Sequence, residues 1–431
     1  MVRKIWYFAL LMVSILLLIS GCSNDASGSN NEGNNNQIEL SFLHKWPEPE
    51  YAPFFEKVVK QYEKENPNIK IDMNAIGDNA MKDKLRTTIG GGDAPDIVFT
   101  WSGQFVQKFI DAGVAMDLSG YFSEDEKWSE NFISASLQPF KSGDKIYGVP
   151  IRLIGKFFVY NKEIFNEYGL DVPTTWNEFT KVNEELKENG ITPIGLGNEH
   201  PWASIHYLTG LNQEMVPQEV LEKDYNPETS QFEHEGYVKA LEYLIELNEN
   251  GYFNDNINAT SHSMAKENFI QGNSAMVYVE TEEFIQINNS LEDEWGIFTL
   301  PEIKSGEGEA NYVTGAPDGF LVSDQSEHPD EAVDFLKFLT SKETQEMMVD
   351  MVNWTSGVKG AVNEENALPQ SSRAQEIIEE AEGLSQWLDT AVASRVADVY
   401  LTNLQPLLNG EKTPEEVMEE VRTVAKEVRE K

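Results

Sequence analysis

The chain has 431 residues, of which 73 are acidic and 33 are basic, so its formal net charge at pH 7 is −40. This surplus of negative charge argues against nucleic acid as a partner and against anionic ligands attracted from a distance. The single cysteine has no partner for an intramolecular disulfide, and zinc sites built from several cysteines are excluded.

The amino terminus has the three parts of a secretory signal peptide. Arg3 and Lys4 form a positive head, residues 5–19 form an almost uninterrupted apolar run, and the small residues Ser20 and Gly21 follow. Residues 5–21 together number 17, at the short end of the roughly 17–25 residues that span a bilayer, so a transmembrane anchor is the alternative interpretation.

The lone cysteine, Cys22, completes the sequence Ile-Ser-Gly-Cys, which resembles a bacterial lipobox. The resemblance implies that residues 1–21 are removed and that lipid is attached to Cys22, which would hold the protein on the extracytoplasmic face of the cell membrane. Residues 22–37 are rich in Ser, Asn and Gly and are predicted to form a flexible tether, of a kind common in Gram-positive lipoproteins.

The body of the chain begins with alternating strands and helices. The segments "IELSFLHKW" and "IKIDMNAIG" alternate apolar and polar residues, which is typical of strands. Between them, Phe54, Val58 and Tyr62 share one stripe of a predicted helix. The segment "APDIVFTW" reads as another buried strand and is followed by a helix. This order predicts the opening of a parallel α/β layer.

Helix signals continue to the end of the chain. Thr175 with Glu178, and Thr413 with Glu416, have the spacing of capping boxes, and "HPDEAVDFLKFLT" has the apolar spacing of a half-buried helix. Roughly 395 residues follow the tether, which is too many for one compact core. We therefore expect two domains.

Four stretches, in order, carry a family resemblance. They are "GGGDAPDIVFTWSGQFVQKFIDAGVAMDLSGYF", "KIYGVPIRLIGKFFVYNKEIFNEYGLDVPTTWNEF", "FIQGNSAMVYV" and "PDGFLVSDQSEHPDEAVDFLKFLTSKETQEMM". Together they resemble the extracellular solute-binding proteins of bacterial ABC importers, in particular the sugar-binding, maltose-binding-protein-like group. The resemblance covers nearly all of the chain after the tether.

The resemblance implies an α/β fold of the periplasmic-binding-protein type, with two lobes, a hinge and a ligand cleft between the lobes. The chain would cross between lobes near "YGVPIRL", near "WGIFTLPEI" and near residues 351–354. Lobe one would be 38–151 plus 300–350, and lobe two 152–299 plus 351–431. The lobes would close on the ligand, and an ABC permease would recognise the closed shape.

A sugar offers hydroxyls at its edge and C–H groups on its faces, so its site needs fixed hydrogen-bonding groups and aromatic rings. In lobe one, two strands end in such residues. The first strand is followed by His44, Lys45 and Trp46, and the third by Trp101, Ser102 and Gln104. Arg152 lies at the first lobe crossing, where its planar guanidinium can donate several hydrogen bonds.

Lobe two offers Asn198 and Trp202 in a polar loop, and Trp354 and Trp387 near the carboxyl terminus. After "GNSAMVYV", where related proteins commonly have a glycine and an aromatic residue, this chain has the acidic stretch 280–282. Its carboxylates, Glu280 and Glu282, would accept hydrogen bonds from sugar hydroxyls or bind a cationic group.

Several alternatives stay open at the level of the sequence. The same fold could bind a polyamine, an amino-sugar, a metal chelate or another non-carbohydrate solute, or serve sensing or adhesion. A secreted glycoside hydrolase needs two carboxylates beside the scissile bond, but acidic residues are too numerous here to single out a pair. The six histidines are scattered, so we expect no metal site. We also expect no cofactor, no catalysis and a monomeric protein.

Overall fold

A computed structural model describes residues 37–91 and 94–430. The predicted signal peptide, the predicted lipidation site Cys22 and the tether up to residue 36 lie outside the described residues. Within the described ranges, no helix combines the length and apolarity needed to cross a bilayer.

The strands, in chain order, are β1 Ile38–His44, β2 Ile69–Ala75, β3 Ile97–Trp101, β4 Lys141–Ser142, β5 Lys145–Ile146, β6 Val149–Asn161, β7 Thr192–Gly195, β8 Ser274–Glu280, β9 Trp295–Phe298, β10 Tyr312–Val322 and β11 Gly383–Ser385. Within the described chain, nine of them form one sheet in the order β2-β1-β3-β10-β6-β8-β7, with β11 beside β10 and β9 beside β6. Strand β1 is parallel to β2 and β3, which confirms the predicted parallel opening of the chain.

The helices, in chain order, are α1 Ala52–Glu65, α2 Asp78–Gly91, α3 Gln104–Asp111, α4 Ser119–Glu124, α5 Glu126–Glu130, α6 Ser134–Leu137, α7 Lys162–Glu167, α8 Trp176–Glu188, α9 Trp202–Met215, α10 Gln218–Tyr225, α11 Gly236–Glu249, α12 His262–Ile270, α13 Phe284–Leu291, α14 Pro329–Leu339, α15 Lys342–Val352, α16 Pro369–Glu380, α17 Leu388–Ala391, α18 Ser394–Leu408 and α19 Pro414–Arg429. Short 3-10 turns cover Gln138–Phe140, Ile257–Ala259 and Thr281–Glu283.

The predicted helix starts are confirmed by their hydrogen bonds. Thr175 Oγ1 accepts from the backbone N–H of Glu178, and Thr413 Oγ1 accepts from that of Glu416. In both cases the glutamate accepts in return from the backbone of the threonine, which completes a capping box. The apolar residues of α14 are buried as the periodicity predicts.

Two long strands, β6 and β10, connect the halves of the sheet. Residues 149–155 of β6 pair with β10, and residues 156–161 pair with β8 and β9. Strand β10 in turn pairs with β3 through its residues 318–322. Side chains on these two strands therefore lie where the halves meet.

Separate hydrophobic cores pack on the two halves. The first core draws on residues 40–151 and 320–361. Two further cores pack around β6 and β8 and draw mainly on residues 153–303 and 374–425. The predicted α/β architecture is confirmed. The lobe boundary at residue 350 stays a prediction; Trp354 and Val358, just beyond it, pack in the first core.

Candidate functional site

A cavity of about 280 Å³ lies between the first core and the cores around β8. Its aromatic lining residues are Trp46, Tyr51, Trp101, Trp202 and Trp387, with His206 and His262. Its charged lining residues are Lys45, Lys82, Lys266, Glu48, Glu280, Glu282, Glu283, Asp318 and Asp389. Rings and charged groups from distant parts of the sequence thus line one space.

Trp46 and Trp101 are presented by the carboxyl ends of the neighbouring parallel strands β1 and β3. Trp46 stacks on Phe55, with ring centroids 5.2 Å apart and planes 9° apart. Trp101 packs edge-on against Phe99 at 4.9 Å. Both tryptophans are buried, so the core fixes their rings while one side of each borders the cavity.

Arg152 lies behind the cavity wall, with its guanidinium between the rings of Trp46 and Trp354, at 4.9 and 4.6 Å from their centroids. Nη2 donates to Asp318 Oδ2 at 2.6 Å, and Nη1 donates to Glu282. Burial alone lowers the pKa of Arg152, but the charges of Glu282 and Asp318 more than offset this and raise it above its usual value. Arg152 is therefore a fixed cation that orients two carboxylates of the cavity.

Asp318 holds two cations with one oxygen. Its Oδ2 also lies 3.4 Å from Lys45 Nζ, and that ammonium lies 5.3 Å from the centroid of the Trp101 ring. The second oxygen, Oδ1, is buried and has no hydrogen-bond partner among the described residues. Because an unsatisfied buried acceptor is unfavourable, this oxygen is a candidate to accept a hydrogen bond from a ligand.

A second group of titratable side chains comes from β6, β8 and α9; its members His206 and Glu280 line the cavity, and Lys156 lies behind them. Lys156 Nζ lies 2.9 Å from His206 Nδ1, and Glu280 Oε1 lies 3.6 Å from the same nitrogen. Burial, followed by the charge of Glu282, raises the pKa of Glu280 to about 8. Burial lowers the pKa of Lys156, and burial together with the charge of Lys156 holds the pKa of His206 well below 6.5.

Glu283 organises a third group next to Glu280, whose backbone N–H donates to Glu283 Oε2 at 3.1 Å. Its Oε1 lies 2.9 Å from His262 Nε2 and 2.8 Å from Lys266 Nζ. Burial raises the pKa of Glu283, but the charges of His262 and Lys266 outweigh burial and hold it well below its usual value. The His262 ring packs against Trp202 at 4.7 Å, so this ion pair supports one aromatic wall of the cavity.

An ion pair links the two halves across the cavity. Lys82 Nζ of α2 lies 3.2 Å from Asp389 Oδ2 of α17. Next to Asp389, Trp387 stacks on the imidazole of His206, with centroids 4.2 Å apart and planes 20° apart. The rings of Trp387 and His206 therefore form one stacked aromatic pair beside a carboxylate.

Seven of the residues proposed from the sequence line this cavity: Lys45, Trp46, Trp101, Trp202, Glu280, Glu282 and Trp387. Two others, Arg152 and Trp354, lie directly behind it. Their assignment to a ligand stays a prediction. The geometry does bring these nine residues together from seven separate stretches of sequence.

The remaining proposed residues lie elsewhere. His44 stacks on Phe55 in the first core at 4.2 Å, and burial lowers its pKa to about 4. Ser102 is buried, and its hydroxyl has no partner among the described residues. Asn198 Nδ2 donates to Asn258 Oδ1 at 2.6 Å, which fixes a loop of the second half.

Gln104 lines a second, larger groove of about 660 Å³, together with Gln107, Gln213 and Gln386. No tryptophan, lysine or arginine is among its described lining residues. We place the candidate site in the smaller cavity, because it combines four tryptophans with lysines and carboxylates.

Several cavity residues were missed from the sequence, among them Lys82, His206, His262, Glu283, Asp318 and Asp389. One local signal was present, since Trp202 and His206 are four residues apart and share a face of α9. No group of three or more metal-ligating side chains within the described ranges is arranged to hold a metal ion.

Comparison with known proteins supports the predicted resemblance. Residues 46–346 match the family described as bacterial extracellular solute-binding protein. The multiple sugar-binding protein of Streptococcus mutans is 23% identical over 377 residues, which cover 84% of this chain and 85% of that protein.

Solved structures confirm the fold. A chitin oligosaccharide binding protein superimposes with a TM-score of 0.83 at 25% identity, covering 92% of this chain and 100% of that one. A protein solved in work on xylan utilization by the thermophilic bacterium Caldanaerobius polysaccharolyticus superimposes with a TM-score of 0.83 at 23% identity, covering 90% and 99%. The predicted two-lobed α/β fold of solute-binding proteins is thereby confirmed.

Proposed function

We propose, on the premise that this chain belongs to the bacterial extracellular solute-binding protein family, that it captures a carbohydrate in the 280 Å³ cavity. The observation that carries the proposal is the set of four tryptophans around one space that is also lined by fixed carboxylates and amines. Aromatic faces suit the C–H faces of a sugar, and the charged groups suit its hydroxyls.

The relatives support a carbohydrate over other solutes. The Streptococcus mutans relative is named a multiple sugar-binding protein, and one of the superimposed structures is a chitin oligosaccharide binding protein. Neither name decides which sugar this chain takes, since identity is 23% and 25%. They define the class of compound to be tested.

The energetic scale is reasonable for such a site. Burying about 100 Å² of ring and sugar face at about 25 cal/mol per Å² contributes about 2–3 kcal/mol. Micromolar affinity needs about 8 kcal/mol, so stacking on one or two rings plus several hydrogen bonds is sufficient.

The wider role we propose is transport. The loaded, closed form would deliver its sugar to the permease of an ABC importer, after hinge closure of two lobes. Lipid on Cys22 and the tether would hold the protein, as a monomer, on the outer face of the membrane. We propose binding without catalysis.

A ligand that carries an amine is the second candidate, because six carboxylates line the cavity. Most of them already face cations. Glu282 binds Arg152, Asp318 binds Arg152 and Lys45, and Glu283 binds His262 and Lys266. This pairing leaves little uncompensated negative charge for a polyamine, so we favour a neutral sugar.

The proposal is tested by thermal unfolding of the full-length chain in detergent, with chitotriose, xylotriose, arabinotriose, raffinose and spermidine added separately. A ligand at about 100 times its dissociation constant stabilises the folded state by about 2.7 kcal/mol. A raised melting temperature with a sugar supports the proposal. A shift with spermidine alone, or with no compound, contradicts it.

A further inference from the structure

His206 and Asp389 are neighbours in the cavity lining, and each has one polar side-chain atom that makes no hydrogen bond to the described residues. Within the described part of the chain, His206 Nε2 has no hydrogen-bond partner and lies 3.9 Å from Asp389 Oδ1, beyond hydrogen-bonding distance. Asp389 Oδ1 is buried and likewise lacks a partner among the described residues, because Lys82 binds the other oxygen. Both residues line the cavity.

The other imidazole nitrogen determines which proton His206 carries. Lys156 Nζ lies 2.9 Å from Nδ1, and an ammonium offers only donors, so Nδ1 accepts and the proton resides on Nε2. Glu280 favours the opposite tautomer, but its oxygen lies farther away, at 3.6 Å. Burial also raises the pKa of Glu280 to about 8, which weakens its charge near neutral pH.

A donor and an acceptor 3.9 Å apart match the two roles of a single hydroxyl. An oxygen about 2.8–2.9 Å from both atoms can accept from Nε2–H and donate to Oδ1 at ordinary hydrogen-bond lengths. Such an oxygen would lie at the edge of the stacked pair His206 and Trp387, in the cavity that both residues line.

We propose that His206 Nε2 and Asp389 Oδ1 together bind one hydroxyl of the ligand, and that Lys156 is a positioning residue that keeps the proton of His206 on Nε2. This inference rests on the proposed carbohydrate-binding function. It also explains why a hydroxyl suits this position better than an ammonium, since Lys82 and Lys156 lie on either side of it.

The tautomer can be measured without a ligand. Nitrogen-15 NMR of full-length, histidine-labelled protein should show His206 neutral and protonated on Nε2 between pH 6 and 8. In Lys156→Met the lysine donor is lost, so a mixture with the Nδ1–H form is expected. A wild-type His206 that carries its proton on Nδ1, or carries two protons, overturns the inference.

Binding measurements test the hydroxyl. The probes are chitotriose, xylotriose, arabinotriose and raffinose, and the variants are His206→Phe, Asp389→Asn and both together. We expect a loss of about 3- to 10-fold for the histidine and about 10- to 100-fold for the carboxylate, as for neutral and charged hydrogen bonds. Because both bind one hydroxyl, the double variant should lose clearly less than the product of the single losses.

The control is His234→Phe, which removes a histidine whose Nε2 lies at a similar distance, 3.8 Å, from Glu307 outside the cavity. Its affinity should equal that of the wild type. The Lys156→Met variant should bind more weakly than the wild type at pH 7 to 8, because part of its neutral His206 then carries the proton on Nδ1 and offers no donor at Nε2.

The outcomes separate the two proposals. If the wild type binds a sugar and the His206 and Asp389 variants bind it equally well, the hydroxyl site is wrong and the carbohydrate function stands. If the loss of affinity in the double variant equals the product of the two single losses, the proposal that both residues bind one hydroxyl is also wrong. If the folded wild type binds none of the four sugars, both proposals are contradicted.

Discussion

Arg152 and Asp318 are directly opposite each other on β6 and β10, and Arg152 Nη2 donates to Asp318 Oδ2 at 2.6 Å. Both side chains are only 1% exposed. The ladder register is shifted immediately after this pair, between Asp318 and Gly319. This ion pair, on the two strands that join the halves of the sheet, thus connects a carboxylate that lines the candidate ligand cavity to a cation directly behind it.

Replacing Arg152 with methionine should destabilise the protein strongly. The substitution leaves Asp318 and Glu282 buried without their shared cation, and breaking a buried pair in this way costs about 3–5 kcal/mol. Urea unfolding followed by circular dichroism measures the loss.

Arg373→Met is the matched control, because Arg373 pairs with Glu376 on the exposed surface of α16. Exposed pairs contribute little, so this variant should unfold at the wild-type urea concentration. If both substitutions lower the free energy of unfolding equally, burial of the Arg152 ion pairs does not increase their contribution to stability.

Glu280 should make the folded state less stable as pH rises. Its pKa is about 8 in the folded protein against 4.5 for an unperturbed glutamate, so the folded state retains a proton that the unfolded state releases. Stability should therefore fall between about pH 4.5 and 8 and level off above pH 8. Urea unfolding from pH 5 to 9 should show a flatter profile for Glu280→Gln than for the wild type.

Glu214 provides the control for this pH dependence, because burial also raises its pKa, to about 7. Glu214→Gln should reduce the slope below pH 7, where both glutamates contribute, and leave the slope between pH 7 and 8 unchanged. A Glu280→Gln profile parallel to that of the wild type would mean that Glu280 is ionised in the folded protein at neutral pH.

Trp202 is the ring that is best suited to a binding test, because it is the half-buried tryptophan of the cavity and does not belong to the centre of a core. Trp202→Ala should weaken binding of the sugar that stabilises the wild type by about 30- to 150-fold, as expected for losing about 100 Å² of stacking surface. Isothermal titration calorimetry measures the change.

Trp128→Phe is the control for this experiment, since Trp128 stacks on Phe122 in the first core, outside the cavity lining. Its affinity should match that of the wild type. If Trp202→Ala binds the sugar as tightly as the wild type does, Trp202 does not contact the ligand.

The sequence was sufficient to predict residues whose position follows from local structure. Trp46 and Trp101 were identified because they follow strands, and residues at the carboxyl ends of parallel strands meet at one edge of a sheet. The helix starts at Thr175 and Thr413 follow from a spacing of three residues, which needs no tertiary information.

Other residues depend on pairing over long distances in the chain. Lys82 and Asp389 are 307 residues apart, and no local pattern connects them. Asp318 and Lys156 lie in buried strand interiors, where an isolated polar residue gives no indication of its partner. Gln104 was proposed because it follows a strand, but it begins α3 and lines the larger groove. Asn198 was proposed from a polar loop, but it donates to Asn258.

The central claim is that the 280 Å³ cavity, and not the larger groove beside Gln104, receives a carbohydrate. A crystal structure of the protein with the sugar that raises its melting temperature most tests this directly. We predict a sugar ring against Trp202 or Trp387, with a hydroxyl between His206 and Asp389. Sugar density in the groove of Gln104 and Gln213, with the tryptophan-lined cavity empty, would contradict the account.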